Sequence, residues 1–311
     1  MDLTDLDLPD FFLLGFPKCG TTTLSYWLSQ SPEICQPKIK EPKILSYDDR
    51  INDNGFYDNF HQWKNYDFDN KPIEFLKKYN TNFSGTGLKF DATPHYCISS
   101  KAFKRIKKYT PEAKFLFILR NPTDMVLSSY RHNLKARNVS FPIKKYLRYQ
   151  HQRALEYGSY FEHIDKWLSH YDRSQFHFLT LEGLRENPQK ELDRIALFLE
   201  IQPWEVDFQI KNKSTFLKST RFQYLLNGLS KLLEPNHNTK TAGHYIKESN
   251  FHHFSEKVIK KAKRYNQTQN PKKMKVSKIF RQQLDFYFER ENNGLSKLIN
   301  IDLKKRWKLN I

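Results

Sequence analysis

Residues 11–24 read FFLLGFPKCGTTTL, an apolar run followed by a lysine, a glycine and three threonines. The apolar run predicts a buried strand over Phe11–Gly15, and the amphipathic residues that follow predict a helix over Thr22–Gln30. A strand that turns directly into a helix aims several backbone N–H groups and the positive end of the helix dipole at one point. The stretch therefore predicts a cradle for a phosphate group.

Seven consecutive residues are predicted to form this cradle: Pro17, Lys18, Cys19, Gly20, Thr21, Thr22 and Thr23. Gly20 lets the backbone come close to a ligand, Lys18 adds a positive charge, and the threonine hydroxyls add donors. The lysine precedes the glycine, unlike the lysine of the GxxxxGK[ST] loop in nucleotide triphosphatases, which disfavours ATP with magnesium. A threonine-rich helix N-terminus with no ligand is the alternative interpretation.

Short apolar runs and helical patterns alternate through the rest of the chain. Strands are predicted over Gly87–Phe90, Lys114–Leu119 and Gln175–Thr180, and helices over Pro122–Asn133 and Pro188–Leu199. Asn187 is the predicted N-cap of the last helix. Such alternation indicates an α/β fold with a central, mainly parallel sheet flanked by helices. The expected core is about residues 11–200 plus 279–307, and residues 47–70 and 205–275 are expected to be long loops.

A second anion site is predicted in residues 114–130, KFLFILRNPTDMVLSSY. The strand ends at Arg120, and the helix after Pro122 carries Ser128. An arginine fork and a hydroxyl about two helical turns later can converge on one phosphate. Taken alone, an arginine before a turn and a serine on a helix are also common structural features.

Together the two motifs resemble the 5′-phosphosulfate loop and the 3′-phosphate motif of sulfotransferases that use 3′-phosphoadenosine 5′-phosphosulfate (PAPS). Four further segments resemble the heparan-sulfate or carbohydrate type of this family: residues 40–45, 91–96, 178–201 and 284–307. The resemblance implies one P-loop-like, three-layer domain over residues 1–311. The family's basic loop that closes over the donor has no clean counterpart, although 240–244 or 211–221 could serve.

The resemblance also implies a reaction. A sulfuryl group would move from PAPS to a hydroxyl or amine of a carbohydrate or other small metabolite, leaving adenosine 3′,5′-bisphosphate, without a metal. Lys18 would neutralise the departing oxygen. Glu41 is the predicted base, by resemblance and because Lys40 and Lys43 can hold its carboxylate in place. His95 is the second candidate base, and Glu41 could instead be an ordinary surface glutamate.

Composition limits the partners. The 311 residues carry 52 Lys and Arg against 34 Asp and Glu, and this net charge of +18 favours anionic ligands. No helix-turn-helix, RNP or zinc-finger signature is present, which disfavours nucleic acid. A small-molecule kinase is another alternative, but it would need the motif GK[ST] and an aspartate for magnesium after a later strand, and the strand that ends at Leu119 is followed by Arg120 instead. The three cysteines, Cys19, Cys35 and Cys97, are an odd number without CxxC or Cys/His ligand spacing, so neither a disulfide framework nor a zinc site is expected. With no signal peptide or long apolar run, a soluble cytoplasmic protein is expected.

Overall fold

The computed structural model describes residues 6, 8–46, 70–83, 85–136, 139–149, 152–208, 216–233, 250–268 and 276–307. The chain divides into two compact units. The first comprises residues 1–125, 157–211 and 285–311, and the second comprises 126–156 and 212–284. The interpretation of 1–311 as a single domain stays a prediction.

The helices are α1 (Thr21–Leu28), α2 (Pro72–Asn80), α3 (Ser100–Tyr109), α4 (Pro122–Ala136), α5 (Ile143–Tyr149), α6 (Gln152–Glu156), α7 (Tyr160–Leu168), α8 (Leu181–Glu186), α9 (Pro188–Leu199), α10 (Thr220–Leu233), α11 (Asn250–Tyr265), α12 (Lys278–Glu291), α13 (Leu295–Ile299) and α14 (Leu303–Trp307). Among the described residues, no helix combines the length and the apolar character needed to cross a membrane.

A five-stranded parallel sheet forms the centre of the first unit. Its strands are β1 (Phe11–Gly15), β2 (Ile34–Cys35), β3 (Leu88–Asp91), β4 (Lys114–Leu119) and β5 (Phe176–Thr180), in the order β2-β3-β1-β4-β5. The predicted parallel sheet is confirmed. The sequence did not predict β2, because a strand of two residues leaves no periodic pattern. All of these strands run the same way, so the carboxyl ends of β1, β3 and β4 lie at one edge.

Aromatic side chains pack on both faces of this sheet, because Phe11 pairs with Phe90 and the next residue, Phe12, pairs with Phe115. Phe11 stacks on Phe90 with ring centroids 5.2 Å apart, and Phe115 meets Trp167 edge-on at 5.0 Å. All five residues of β1 are buried. The predicted helix over Pro188–Leu199 is also confirmed, including its cap, since the Asn187 side chain accepts the Lys190 N–H at 3.2 Å.

The second unit is mainly helical. It contains most of α4, then α5, α6, α10 and α11, and a small antiparallel pair of strands, β6 (Phe216–Leu217) and β7 (Gln267–Thr268). Buried Asn227 donates to the carbonyls of Leu134 and Val139, both at 2.7 Å. The expectation of loops over 205–275 was wrong for α10 and α11, whose many lysines and aromatics obscure the helical period. Most of the predicted loop 47–70 lies outside the described residues.

Candidate functional site

The loop between β1 and α1 has the geometry of an anion cradle. Cys19 N–H donates to the Phe16 carbonyl at 3.1 Å, which closes a tight turn, and Lys18 adopts a left-handed conformation with φ 71°. Thr23 and Leu24, in the first turn of α1, donate their N–H groups to the Gly20 carbonyl.

The three preceding amides, those of Gly20, Thr21 and Thr22, make no hydrogen bond within the described part of the chain. Amides at the start of a helix face its N-terminal end, where they can bind an anion. The predicted cradle therefore offers three donors and the helix dipole at one place. Thr21 is buried, whereas Thr22 and Thr23 are half-buried.

Gly20 and Cys19 keep this loop close to its neighbours. Gly20 has φ 97°, and a Cβ there would lie 2.6 Å from Leu181 Cδ1 at the start of α8. The Cys19 side chain is fully buried, with Sγ 3.9 Å from the Tyr160 hydroxyl. Burial raises the pKa of Cys19 to about 12, so the thiol stays protonated. Cys19 can therefore contribute to a ligand site only through its backbone.

Arg120 joins the second predicted motif to the cradle. It follows β4, which lies beside β1 in the sheet, and its Nη1 donates to the Lys18 carbonyl at 2.9 Å. Tyr160, on α7, contacts residues on both sides of this junction. Its hydroxyl donates to the Arg120 carbonyl at 2.9 Å, and its ring packs against Phe16 with centroids 4.5 Å apart. Tyr160 was not predicted, because no local sequence pattern distinguishes it from other core tyrosines.

The start of α4 is fixed by Glu182. Its Oε1 accepts the Asn121 N–H at 3.1 Å, and the Asn121 side chain caps the helix by accepting the Asp124 N–H at 3.0 Å. Burial raises the pKa of Glu182, while the Asn121 hydrogen bond and the charge of Arg120 oppose that rise. Ser128 lies half-buried in α4, in the residues assigned to the second unit. Its convergence with Arg120 on one phosphate stays a prediction.

The segment that carries Glu41 contacts the cradle. Lys40 Nζ donates to Thr22 Oγ1 at 2.6 Å and lies 3.0 Å from Glu41 Oε1. Glu41 and Lys43 both adopt left-handed backbone conformations, with φ of 53° and 55°. Such conformations are costly for residues other than glycine and cluster at functional sites. About a third of the Glu41 side chain is exposed (34%), so a ligand could reach its carboxylate.

A buried carboxylate network holds the turn that contains His95. Asp91 accepts hydrogen bonds from Tyr79 at 2.6 Å, Thr93 at 2.6 Å and Tyr96 at 3.1 Å. Tyr96 in turn accepts the Leu45 N–H at 3.2 Å, which ties this turn to the segment after Glu41.

Burial raises the pKa of Asp91 to about 6, although its three hydrogen bonds oppose that rise. The charge of Glu41 also raises this pKa, so the two carboxylates interact. His95 is buried in the short 3-10 turn Pro94–Cys97, four residues after Asp91. The Asp91 network therefore holds the turn that contains His95, and Glu41 is close enough for its charge to affect Asp91.

Comparison with known proteins gives a consistent result. A family model described as the sulfotransferase domain matches residues 8–278. A Drosophila melanogaster bifunctional heparan sulfate N-deacetylase/N-sulfotransferase is 28% identical over 213 residues, which cover 63% of this chain and 20% of that protein. The human bifunctional heparan sulfate N-deacetylase/N-sulfotransferase 3 is 28% identical over 209 residues, which cover 63% of this chain and 23% of that protein. The chain spans less than a quarter of either relative.

Among solved structures, a sulfotransferase from Alicyclobacillus acidocaldarius superimposes with a TM-score of 0.52 at 21% identity, covering 73% of this chain and 93% of that one. At this identity the likeness concerns the fold. It agrees with the α/β fold built on a central parallel sheet.

Proposed function

Because this chain belongs to the sulfotransferase domain family, we propose that it transfers a sulfuryl group from PAPS to a hydroxyl or amine of a carbohydrate or other small acceptor. The observation that carries this proposal is the hydrogen bond from Arg120 to the Lys18 carbonyl. This contact supports assigning Arg120 to the 3′-phosphate and the neighbouring loop to the 5′-phosphosulfate of one donor. A donor with two separated anionic groups fits this pair of sites.

The cradle suits the phosphosulfate end of the donor. The amides of Gly20, Thr21 and Thr22 can bind its oxygens, and the absence of a Cβ at Gly20 keeps the loop in place against α8. Lys18 provides a positive charge for the oxygen that leaves sulfur. Arg120, with Ser128, would bind the 3′-phosphate through charge-assisted hydrogen bonds.

The reaction is an in-line displacement. The acceptor oxygen or nitrogen forms a bond to sulfur while the bond between sulfur and the 5′-phosphate oxygen breaks, and adenosine 3′,5′-bisphosphate leaves. The acceptor's proton must go to a base. We assign this role to Glu41, whose carboxylate is held by Lys40 next to Thr22 of the cradle. His95, buried in the adjoining turn, is the alternative.

The carbohydrate acceptor is proposed from the relatives, whose names specify heparan sulfate N-sulfotransferases and which match 63% of this chain. The net charge of +18 agrees with an anionic acceptor. If the acceptor is anionic, its apparent affinity at saturating donor should fall between low and high salt while the saturated rate changes little. Sulfate transfer from labelled donor to glycan, lipid and phenol panels would identify its class.

The donor can be tested by calorimetric titration. We expect adenosine 3′,5′-bisphosphate to bind without metal, and adenosine 5′-phosphate to bind more weakly because Arg120 loses its phosphate. ATP with magnesium is the control ligand. Binding of ATP with magnesium more tightly than the bisphosphate would contradict the proposal and favour the kinase alternative.

A further inference from the structure

The second unit contains a large cavity of its own, formed by α4, α5, β6, α10 and the start of α12. Its volume is about 1040 Å³. Ligand pockets in proteins usually measure about 300–1,000 Å³, so this cavity can hold a molecule much larger than an inorganic ion. Every residue that lines it belongs to the second unit.

The charged side chains among the described residues of this cavity are all cationic. Five of the described residues that line it are cationic, and none of the described lining residues carries a carboxylate: Arg131, Lys135, Lys144, Lys218 and Arg221 are the cations. Within the described part of the chain, Lys144, Lys218 and Arg221 form no ion pair. Arg131 and Lys135 lie one helical turn apart on α4, where like charges repel. Burial, followed by the charge of Arg131, lowers the pKa of Lys135.

Aromatic rings lie between these cations. Lys144 Nζ lies 5.5 Å from the centre of the Phe280 ring, and the Arg131 guanidinium lies 5.9 Å from that of Phe216. Tyr130 and Tyr224 also line the cavity, but their hydroxyls are engaged with each other at 2.6 Å. The Tyr130 hydroxyl also donates to a backbone carbonyl, that of Phe141, at 2.8 Å. These two tyrosines therefore offer rings to a ligand more than hydrogen-bonding groups.

The described residues of the lining do not include the carboxylate and amide side chains that commonly bind sugar hydroxyls. There is no Asp, Glu, Asn or Gln among them, and the polar members besides the cations and the two tyrosines are Thr220 and Ser277. Apolar walls with a few charged groups are typical of sites for small organic ligands.

We propose that this cavity binds an amphipathic organic anion, in which one acidic group meets the Lys and Arg side chains and an apolar body packs on Phe216 and Phe280. The site goes beyond the sulfuryl-transfer reaction proposed above. The described residues that line it all belong to the second unit, and none of them is among the residues assigned to the donor site.

The test is calorimetric titration of the full chain, saturated with adenosine 3′,5′-bisphosphate, with octyl phosphate below its micellar concentration. Inorganic phosphate supplies the charge alone and octyl glucoside the apolar body alone. We expect octyl phosphate to bind at least about tenfold more tightly than either, because eight carbons leave water and a charge is neutralised. A comparison of phenyl phosphate with octyl phosphate then shows whether the cavity prefers an aromatic or an alkyl group.

Variants locate the binding. The triple variant Lys144→Met, Lys218→Met, Arg221→Met keeps the long side chains but removes three charges, and we expect it to weaken octyl phosphate binding about tenfold or more. The matched control is Lys257→Met, Lys261→Met, Arg264→Met on α11, which removes the same charges from exposed positions outside the lining and should change the affinity less than about twofold.

Three results would overturn the proposal. The first is an equal loss of octyl phosphate affinity in the two triple variants. The second is tighter binding of an acidic oligosaccharide than of octyl phosphate, and the third is displacement of octyl phosphate by the bisphosphate. The last result would assign the cavity to the nucleotide site. Failure of the bisphosphate to bind at all would instead count against the proposed function, since octyl phosphate binding can be measured without it.

Discussion

The guanidinium of Arg120 donates a 2.9 Å hydrogen bond to the backbone carbonyl of Lys18, across a sequence separation of 102 residues. The contact is possible because β1 and β4 are neighbours in the parallel sheet, so the residues that follow them lie at the same edge. It joins the two motifs that the sequence predicted separately. The following predictions concern this junction and the groups around it.

The first prediction is that Arg120→Ala weakens binding of adenosine 3′,5′-bisphosphate by about 1.5–3 kcal/mol, the contribution of a charged hydrogen bond. Affinity for adenosine 5′-phosphate should change less, so the variant should lose its preference for the 3′-phosphate. Ser128→Ala should act in the same direction. Arg290→Ala removes an exposed arginine and is the control. If the wild-type protein binds adenosine 3′,5′-bisphosphate and adenosine 5′-phosphate equally tightly, the assignment of this site is wrong.

The second prediction concerns Lys18. Lys18→Ala should abolish sulfate transfer, because the charge beside the leaving oxygen is lost, while the bisphosphate product still binds through the loop amides. Single-turnover rates and calorimetry on the same preparation separate these effects. Lys38→Met is the control, since Lys38 Nζ donates to the Thr81 carbonyl instead. Undiminished turnover in the Lys18 variant would rule out its proposed role.

The third prediction distinguishes the two candidate bases. Glu41→Gln preserves the shape of the side chain but removes its basicity, so turnover should fall by about 100-fold or more with donor affinity intact. His95→Ala should have a smaller effect. The two variants should be assayed side by side at several pH values. If only the histidine variant loses turnover while it still binds donor, the base is His95.

The fourth prediction concerns Tyr160, which holds the Arg120 carbonyl. Tyr160→Phe removes this hydrogen bond and should lower the free energy of unfolding by about 0.5–1.5 kcal/mol, and it should also weaken nucleotide binding. Tyr171→Phe is a matched control, since its buried hydroxyl has no partner among the described residues. Removing that hydroxyl should leave stability unchanged or raise it. Denaturant unfolding of both variants, with and without the bisphosphate, makes the comparison. A Tyr160 variant as stable as wild type would refute the proposed support.

The fifth prediction follows from Asp91, whose pKa is about 6 in the folded protein against an ordinary value of 3.8. The folded state holds this proton more tightly than the unfolded state, so the contribution of Asp91 to stability falls as pH rises from about 4 to 6. The pKa difference corresponds to about 3 kcal/mol at most. Asp91→Asn should lack this dependence. Unfolding free energies of both proteins at pH 4 and pH 7 test it. If the free energy of unfolding changes equally in the two proteins between these pH values, the pKa of Asp91 is not raised in the folded state.

The sequence by itself was sufficient to predict the sheet, which the structure confirms, and to propose the two anion motifs, whose ligands stay a prediction. Apolar runs bounded by turn residues located β1, β4 and β5 to within a residue, because a buried parallel strand is apolar on both faces. The order Lys18 then Gly20 was sufficient to indicate a phosphate loop different from that of ATPases. Local spacing also predicted the cap at Asn187. These features depend on neighbours in the chain, so one sequence suffices to recognise them.

Tertiary structure decided which distant groups meet. The contacts of Tyr160 with Arg120, Lys40 with Thr22, and Tyr79 with Asp91 join residues on different elements. No local period records such pairings. The burial of Cys19 and the raised pKa of Asp91 likewise depend on what packs around each group, because desolvation is set by the whole fold and not by the adjacent residues. The cationic lining of the cavity in the second unit also arises only when four separate stretches of the chain come together, within residues 130–135, 142–144, 216–224 and 276–280.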